Sequence, residues 1–231
     1  SSPAAINMGS TNLVSIFSHG LASGITDLYT VPTGKRSIFM RAMSVNSAAI
    51  TNNNKILIKI GGTYYPIADQ GVANNNVSTS GPNFIGEAGD IYAVNCSNAS
   101  LTHFINIVEY GTDILLRTNR IISIISGNNT VFTSSNNVVG VNLSASLENN
   151  GDACTTNYFN GMSGAVTIQW YRVNSGASVT DTYMAIPPTS ISSMSRSGGG
   201  SSFSMTSGAY ISFFSSTGAT PQMAWINILE I

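Results

Sequence analysis

Two short segments of this chain occur twice. The segment Leu13–Ser18, which mixes aliphatic and small polar residues, recurs as Ile121–Ser126. The segment Phe104–Tyr110, which contains an aliphatic-Asn-aliphatic run and a late Glu, recurs as Trp225–Ile231. Because one pair opens each half and the other pair closes it, the repeat predicts two copies of one domain.

The repeat also predicts where the domains meet. We expect a first domain at 1–112 and a second at 113–231, with a linker at about 112–120. A chain of 231 residues gives each domain enough length to bury its own core. The linker is short and contains no Gly or Ser run, which predicts a fixed orientation between the domains.

Hydrophobic periodicity in both halves indicates strands rather than helices. Apolar residues occur in short runs or alternate with polar ones, and many are β-branched, as in Ile56–Ile60. Turn-forming residues separate these runs, and examples are Pro32–Gly34, Asn52–Asn54 and Glu87–Asp90. We therefore predict an all-β protein of two tandem β-sandwich domains, jelly-roll or immunoglobulin-like, that are related by internal duplication.

The chain carries little charge, and this limits its partners. Charged residues make up 8% of the sequence, whereas about 25% is typical, and the net charge is −1. No basic cluster extends beyond Lys35-Arg36, so we expect no nucleic-acid partner. No segment is long and apolar enough to cross a bilayer, and Ser1–Ala5 lacks the features of a signal peptide, so we expect no membrane partner. A surface of Ser, Thr and Asn suits work outside the cell or within an assembly; the alternative is an ordinary soluble domain of low charge.

Residues that carry catalysis or bind metals are sparse. His103 and Cys96 form a conceivable dyad, but no Asn or Asp at a suitable spacing completes it, and His19 is the other histidine. The acidic residues are scattered, and no metal-ligand spacing of Cys or His occurs. Cys96 and Cys154 occupy non-equivalent places in the repeat, which favours two unpaired thiols. We predict no catalytic residue, no cofactor and no metal, and therefore no enzyme.

Aromatic residues are candidates for contacts with a partner. Trp170 and Trp225 lie in predicted strands, which favours packing in a core or on a sheet. Tyr158 and Phe159 lie in Thr155–Gly164, a segment that is typical of a long loop. We therefore predict Tyr158 and Phe159 as contacts with a protein partner or a glycan.

Several turns and strand ends of the first half match a family pattern. A Val-Pro-x-Gly-Lys turn occurs within Tyr29–Lys35, and Met43–Asn46 is a strand that ends in Asn. A Gly-Asp turn lies within Ala88–Tyr92, and the half closes on Val108–Tyr110. In these residues the chain resembles small β-sandwich virion proteins of tailed bacteriophages. The second half keeps the closing Ile228–Glu230 but lacks both turns. The resemblance implies a structural protein on the tail, the neck or the capsid surface, and it identifies no catalytic residue.

These observations lead to one expectation and one alternative. We expect a non-enzymatic structural component of a phage-like virion, an accessory tail, neck or capsid-decoration subunit. It would self-assemble as a trimer or ring and dock on other virion proteins, and its location would be the particle, assembled in the host cytoplasm. The alternative is a carbohydrate- or receptor-binding β-sandwich module of the tail-fibre or adhesin type.

Overall fold

The structure is a computed structural model of the chain. It describes residues 11–47, 49–73 and 75–121, and after residue 121 it describes the residues of the strands given below. Every regular element in these residues is a β-strand, so the all-β class is confirmed for them. Among the residues described, no helix has the length and hydropathy that crossing a bilayer requires.

The chain divides into two compact units. The first contains Ser1–Tyr64 and Ala68–Ile114, and the second contains Tyr65–Ile67 and Leu115–Ile231. The strands of the first half are β1 (Asn12–Leu21), β2 (Gly24–Thr30), β3 (Lys35–Asn46), β4 (Asn52–Ile60), β5 (Thr63–Val72), β6 (Asn76–Ser80), β7 (Phe84–Gly86), β8 (Ile91–Cys96) and β9 (Leu101–Gly111). The later strands are β10 (Leu116–Ile121), β11 (Gly127–Thr133), β12 (Val138–Val139), β13 (Leu143–Asn149), β14 (Cys154–Phe159), β15 (Thr189–Ile191), β16 (Arg196–Ser201), β17 (Ser204–Met205), β18 (Tyr210–Ser215) and β19 (Gln222–Glu230).

Two antiparallel sheets contain the strands of the first half. One sheet has the order β1-β9-β3-β6, with β7 also paired to β3, and the other has the order β2-β8-β4-β5. Successive strands thus pass repeatedly from one sheet to the other. The rings of Phe39 on β3 and Tyr92 on β8 are 4.8 Å apart between centroids, so the two sheets meet face to face.

The core of the first unit is built from residues of both sheets. Ile105 and Ile107 on β9 and Ile56 and Ile58 on β4 are buried. Removing one such aliphatic side chain from water contributes about 1.5–3 kcal/mol to stability. The alternation predicted for β9 is therefore confirmed, whereas β4 departs from the single buried face predicted for it, because Leu57 is buried as well as Ile56 and Ile58.

Two predicted turns, Pro32–Gly34 and Glu87–Asp90, both form and lie side by side. The backbone N–H of Gly89 donates to the carbonyl of Val31 over 3.0 Å, and the N–H of Val31 donates to the carbonyl of Asp90 over 2.9 Å. Gly89 has a φ of +90°, which only glycine adopts readily. The two turns therefore form one hydrogen-bonded end of the sandwich.

Asn52–Asn54, predicted as a loop tip, is instead the start of β4. Asn52 and Asn54 are buried. The Asn52 side-chain amide donates to the Asn98 carbonyl over 2.7 Å, and the Ser44 hydroxyl donates to the Asn54 side-chain carbonyl over 3.3 Å. The prediction was wrong because hydrogen bonds satisfy these amides inside the fold, although asparagine usually favours turns.

The second unit also contains antiparallel sheets. One has the order β16-β13-β19-β12-β17, with β10 paired to β19, and the other has the order β11-β18-β14-β15. β10 begins at Leu116, so part of the segment predicted as a linker is a strand. Arg117 and Arg120 interrupt the apolar pattern of this strand, which is why the sequence did not indicate it. Trp225, predicted to pack in a core or on a sheet, is buried. Trp170 lies outside the described residues.

Candidate functional site

The β1-β9-β3-β6 sheet has an apolar surface on the side that faces away from the core. An antiparallel sheet usually presents polar residues on such a side. Here Leu13 and Phe17 on β1 are 81% and 67% exposed, and Met40 on β3 and Val77 on β6 are 43% and 51% exposed. We call this surface the outer face, and it consists of Leu13, Ser15, Phe17, His19, Ile38, Met40, Arg41, Met43, Val45, Val77, Thr79, Thr102, Phe104, Asn106 and Val108.

The register of β1, β9 and β3 arranges the outer face in rows. Two apolar rows lie on either side of one polar row. The rows are Leu13, Val108 and Ile38; then Ser15, Asn106 and Arg41; then Phe17, Phe104 and Met43. The Ser15 hydroxyl donates to the side-chain carbonyl of Asn106 over 3.1 Å, and the rings of Phe17 and Phe104 are tilted, with centroids 6.5 Å apart. The outer face therefore has a defined pattern that a complementary surface can match.

A shallow groove crosses the outer face between β1 and β3. It has a volume of about 460 Å³, and Leu13, Met40, Arg41, Asn106 and Val108 are among the residues that line it. Arg41 is the charged residue of the groove, and its side chain is exposed. The volume lies within the range of small-molecule pockets, roughly 300–1,000 Å³, and the groove is open along the sheet surface, so it has room for a small ligand or for side chains of another protein.

A buried polar network lies on the other side of the same sheet. His103 is fully buried, its Nδ1 lies 3.1 Å from the Ser44 hydroxyl, and its Nε2 lies 3.4 Å from the Tyr92 hydroxyl. Burial lowers the pKa of His103 to about 4. The hydrogen-bond partners of His103 are thus Ser44 and Tyr92, not Cys96. Burial raises the pKa of the Cys96 thiol to about 11, which makes it a weak nucleophile.

Two carboxylates of the first unit, those of Glu109 and Glu87, are engaged by donors within the fold. Glu109 is nearly buried and accepts hydrogen bonds from the Tyr29 hydroxyl over 2.5 Å and from the Asn12 amide over 3.4 Å. Burial, and next the hydrogen bond to Glu109, raise the pKa of Tyr29. Glu87 forms an ion pair with Arg36 at 2.9 Å. In the part of the chain that the structure describes, no three His, Cys, Asp or Glu side chains are placed to share a metal ion.

The residues predicted as partner contacts lie on a strand. Tyr158 and Phe159 end β14 and pair through the backbone with Phe214 and Phe213 of β18, so their placement in a loop was wrong. The polar residues Thr155, Thr156 and Asn157 before them favoured a loop in the sequence, although all three lie in the strand. Their contact with a partner or glycan stays a prediction.

The outer face was not among the sequence-based candidates, although β1 carries a signal for it. Asn12–Leu21 has apolar residues at both odd and even positions and contains no charged residue. That composition is typical of a strand covered on both sides. The sequence therefore does not separate the two sides of β1, and it is the structure that shows Leu13 and Phe17 on the side left uncovered by the second sheet.

Comparisons with known proteins do not identify a family for this chain. No family model matches the chain, and no curated protein matches it. Among solved structures, a cupin 2 conserved barrel domain protein from Leptotrichia buccalis is similar over 96% of this chain and 89% of that chain. The identity is 9% and the TM-score is 0.19, which is too low to carry an argument about fold or function.

Proposed function

We propose that this chain is a non-enzymatic structural subunit of a phage-like virion. It is an accessory tail, neck or capsid-decoration protein that self-assembles and docks on other virion proteins. The observation that carries the proposal is the apolar outer face, on which Leu13 and Phe17 are mostly exposed. Proteins that work alone in water seldom expose a continuous apolar surface, whereas subunits of an assembly bury such surfaces in their contacts.

The low charge of the chain supports the same proposal. With 8% charged residues and a net charge of −1, copies of the chain repel one another weakly. The resemblance to virion proteins of tailed bacteriophages rests largely on the turns at Pro32–Gly34 and Glu87–Asp90. Those two turns are joined by backbone hydrogen bonds, so they form one structural element.

We further infer that the two units are copies of one β-sandwich. In the first unit β9 lies between β1 and β3, and in the second unit β19 pairs with β10 on one side and with β12 and β13 on the other. Asn106 lies opposite Ser15. Asn227, which occupies the position of Asn106 in the second copy of the repeat, lies opposite Thr118. This correspondence favours a duplication whose second copy opens at Leu116 rather than at Ile121.

The experiment that tests the function is to search for the chain in purified particles. We expect an antibody against the chain to detect it in blots of denatured particles that have been purified on a density gradient. Immunogold labelling of intact particles then separates a capsid-decoration subunit, with gold on the shell, from a tail or neck subunit. A blot without signal, with the chain confined to the soluble fraction, would contradict the proposal. A soluble host protein blotted in parallel controls for carry-over.

The receptor-binding alternative has its own test. If the chain is a carbohydrate-binding module, the assembled protein binds a glycan array saturably. Replacing Tyr158 and Phe159 by Ala would then abolish that binding. An array without hits, probed with the oligomer, leaves the structural role as the proposal.

A further inference from the structure

Within the described part of the chain, β1 is an edge strand with little protection against pairing. Among the described residues it pairs on one side, with β9. It is 10 residues long and contains no Asp, Glu, Lys, Arg or Pro. Soluble proteins usually protect long edges with charge, proline or bulges, because edge N–H and C=O groups pair readily with another chain. The irregularity in β1 falls between Ser18 and Leu21, so 12–18 remain regular.

The side chains of β1 are arranged so that a second copy of the strand matches the first. Leu13, Ser15 and Phe17 share the outer face, and Ser15 lies midway between the two apolar residues. In an antiparallel pair centred on Ser15, Leu13 of each copy lies opposite Phe17 of the other. Aromatic and aliphatic side chains in such directly opposed positions attract each other, and an uncharged strand brings no like charges together at the axis.

We propose that two copies of this chain pair through β1, antiparallel and about a two-fold axis at Ser15. The inference rests on the proposed self-assembly and identifies the surface that carries it. The outer faces of both copies then lie on the same side of one continuous sheet. The row that begins at Leu13 in one copy continues into the row that begins at Phe17 in the other, so each apolar row crosses the interface.

The expected affinity is modest. A seven-residue strand is about 23 Å long. Pairing at that edge covers less than the roughly 800 Å² per partner of a standard protein interface. We therefore expect a dissociation constant in roughly the micromolar range, with stronger association where several contacts act together in a particle.

Disulfide trapping tests the axis directly. Directly opposed residues of an antiparallel pair have Cα atoms about 4.5–5.5 Å apart, which is within reach of a disulfide. We expect S15C to form a covalent dimer on mild oxidation, seen by non-reducing electrophoresis. L13C is the matched control, because its thiol lies on the same strand and face but opposite Phe17 of the other copy. We expect the L13C protein to stay monomeric. Equal or faster cross-linking of L13C would overturn the register.

Sedimentation velocity over a concentration series tests the edge without an introduced thiol. We expect the wild-type chain to dimerise and F17K to weaken the dimer at least tenfold, because a lysine blocks an edge strand. V77K adds the same charge to the same face at β6, and we expect it to change the dissociation constant less than twofold. A wild-type chain that stays monomeric, or an equal effect of V77K, would overturn the proposal. A chain found in particles yet monomeric in solution refutes only the β1 contact, whereas a β1 dimer absent from particles refutes only the virion role.

Discussion

The two faces of the β1-β9-β3-β6 sheet are both apolar, but they have different surroundings. On the inner face, Phe39, Ile105 and Ile107 are covered by the opposite sheet and are at most 1% exposed. On the outer face, Leu13 and Phe17 keep most of their surface exposed. Apolar character alone therefore does not identify the core of this protein. The inner face sets the free energy of unfolding, and the outer face is available for association.

The largest expected effect comes from truncating an inner-face ring. Phe39 is fully buried, and its ring lies 4.8 Å from that of Tyr92 and 6.2 Å from that of Phe84, measured between centroids. We expect Phe39→Ala to lower the free energy of unfolding by about 3–5 kcal/mol, because it removes apolar contacts and leaves a cavity. Urea denaturation followed by circular dichroism measures the loss. Phe104→Ala, on the outer face, is the matched control, and an equal loss there would erase the distinction between the faces.

The two faces should also differ in how they respond to pH, because the inner face contains the buried histidine His103. The pKa of His103 falls from its ordinary value of 6.5 to about 4 in the folded state, owing to burial. Between these values the unfolded chain binds more protons than the folded one. The free energy of unfolding should thus decrease as pH falls from 6.5 to 4, by about 3 kcal/mol in all, and the His103 contribution should stay constant above 6.5.

Urea denaturation at several pH values between 7.5 and 4 measures that decrease. His103→Gln should flatten the decrease within this window. His19→Gln, at an exposed site on the same sheet, should leave it in place because His103 is retained. The explanation fails if His103→Gln and the wild type lose stability in parallel.

Local signals in the sequence were enough to predict the all-β class and many turns. The alternation around Ile105 and Ile107 marks a strand, and the glycine at position 89 marks a turn, because both depend on neighbouring residues alone. The difference between the two faces depends on which face the second sheet covers, and this is a property of long-range packing. Leu13 and Phe17 could not be recognised as exposed for that reason, nor could Asn52 be recognised as buried.

A smaller effect is expected where the inner face ends, at Glu109. Its carboxylate accepts a hydrogen bond from the Tyr29 hydroxyl and is nearly buried. We expect Glu109→Gln to lower the free energy of unfolding by about 1–2 kcal/mol, because a charge-assisted hydrogen bond is replaced by a neutral one. A double-mutant cycle with Tyr29→Phe assigns the loss to this pair. Glu87→Gln, which removes a partly exposed ion pair with Arg36, should cost at most about 1 kcal/mol, and a larger loss there would reverse the ranking.

The smallest expected effect on stability belongs to the outer face itself. Leu13→Ser removes an apolar side chain that is 81% exposed, so the free energy of unfolding of the monomer should change by less than about 0.5 kcal/mol. Urea denaturation at a protein concentration well below the dissociation constant of the dimer measures this change. Val14→Ser, the next residue on the strand and on its half-buried inner side, should cost more. If Leu13→Ser proved as costly as Val14→Ser, Leu13 would be covered within a single copy. The outer face would then be a second core surface, and the proposed assembly would lose the observation that carries it.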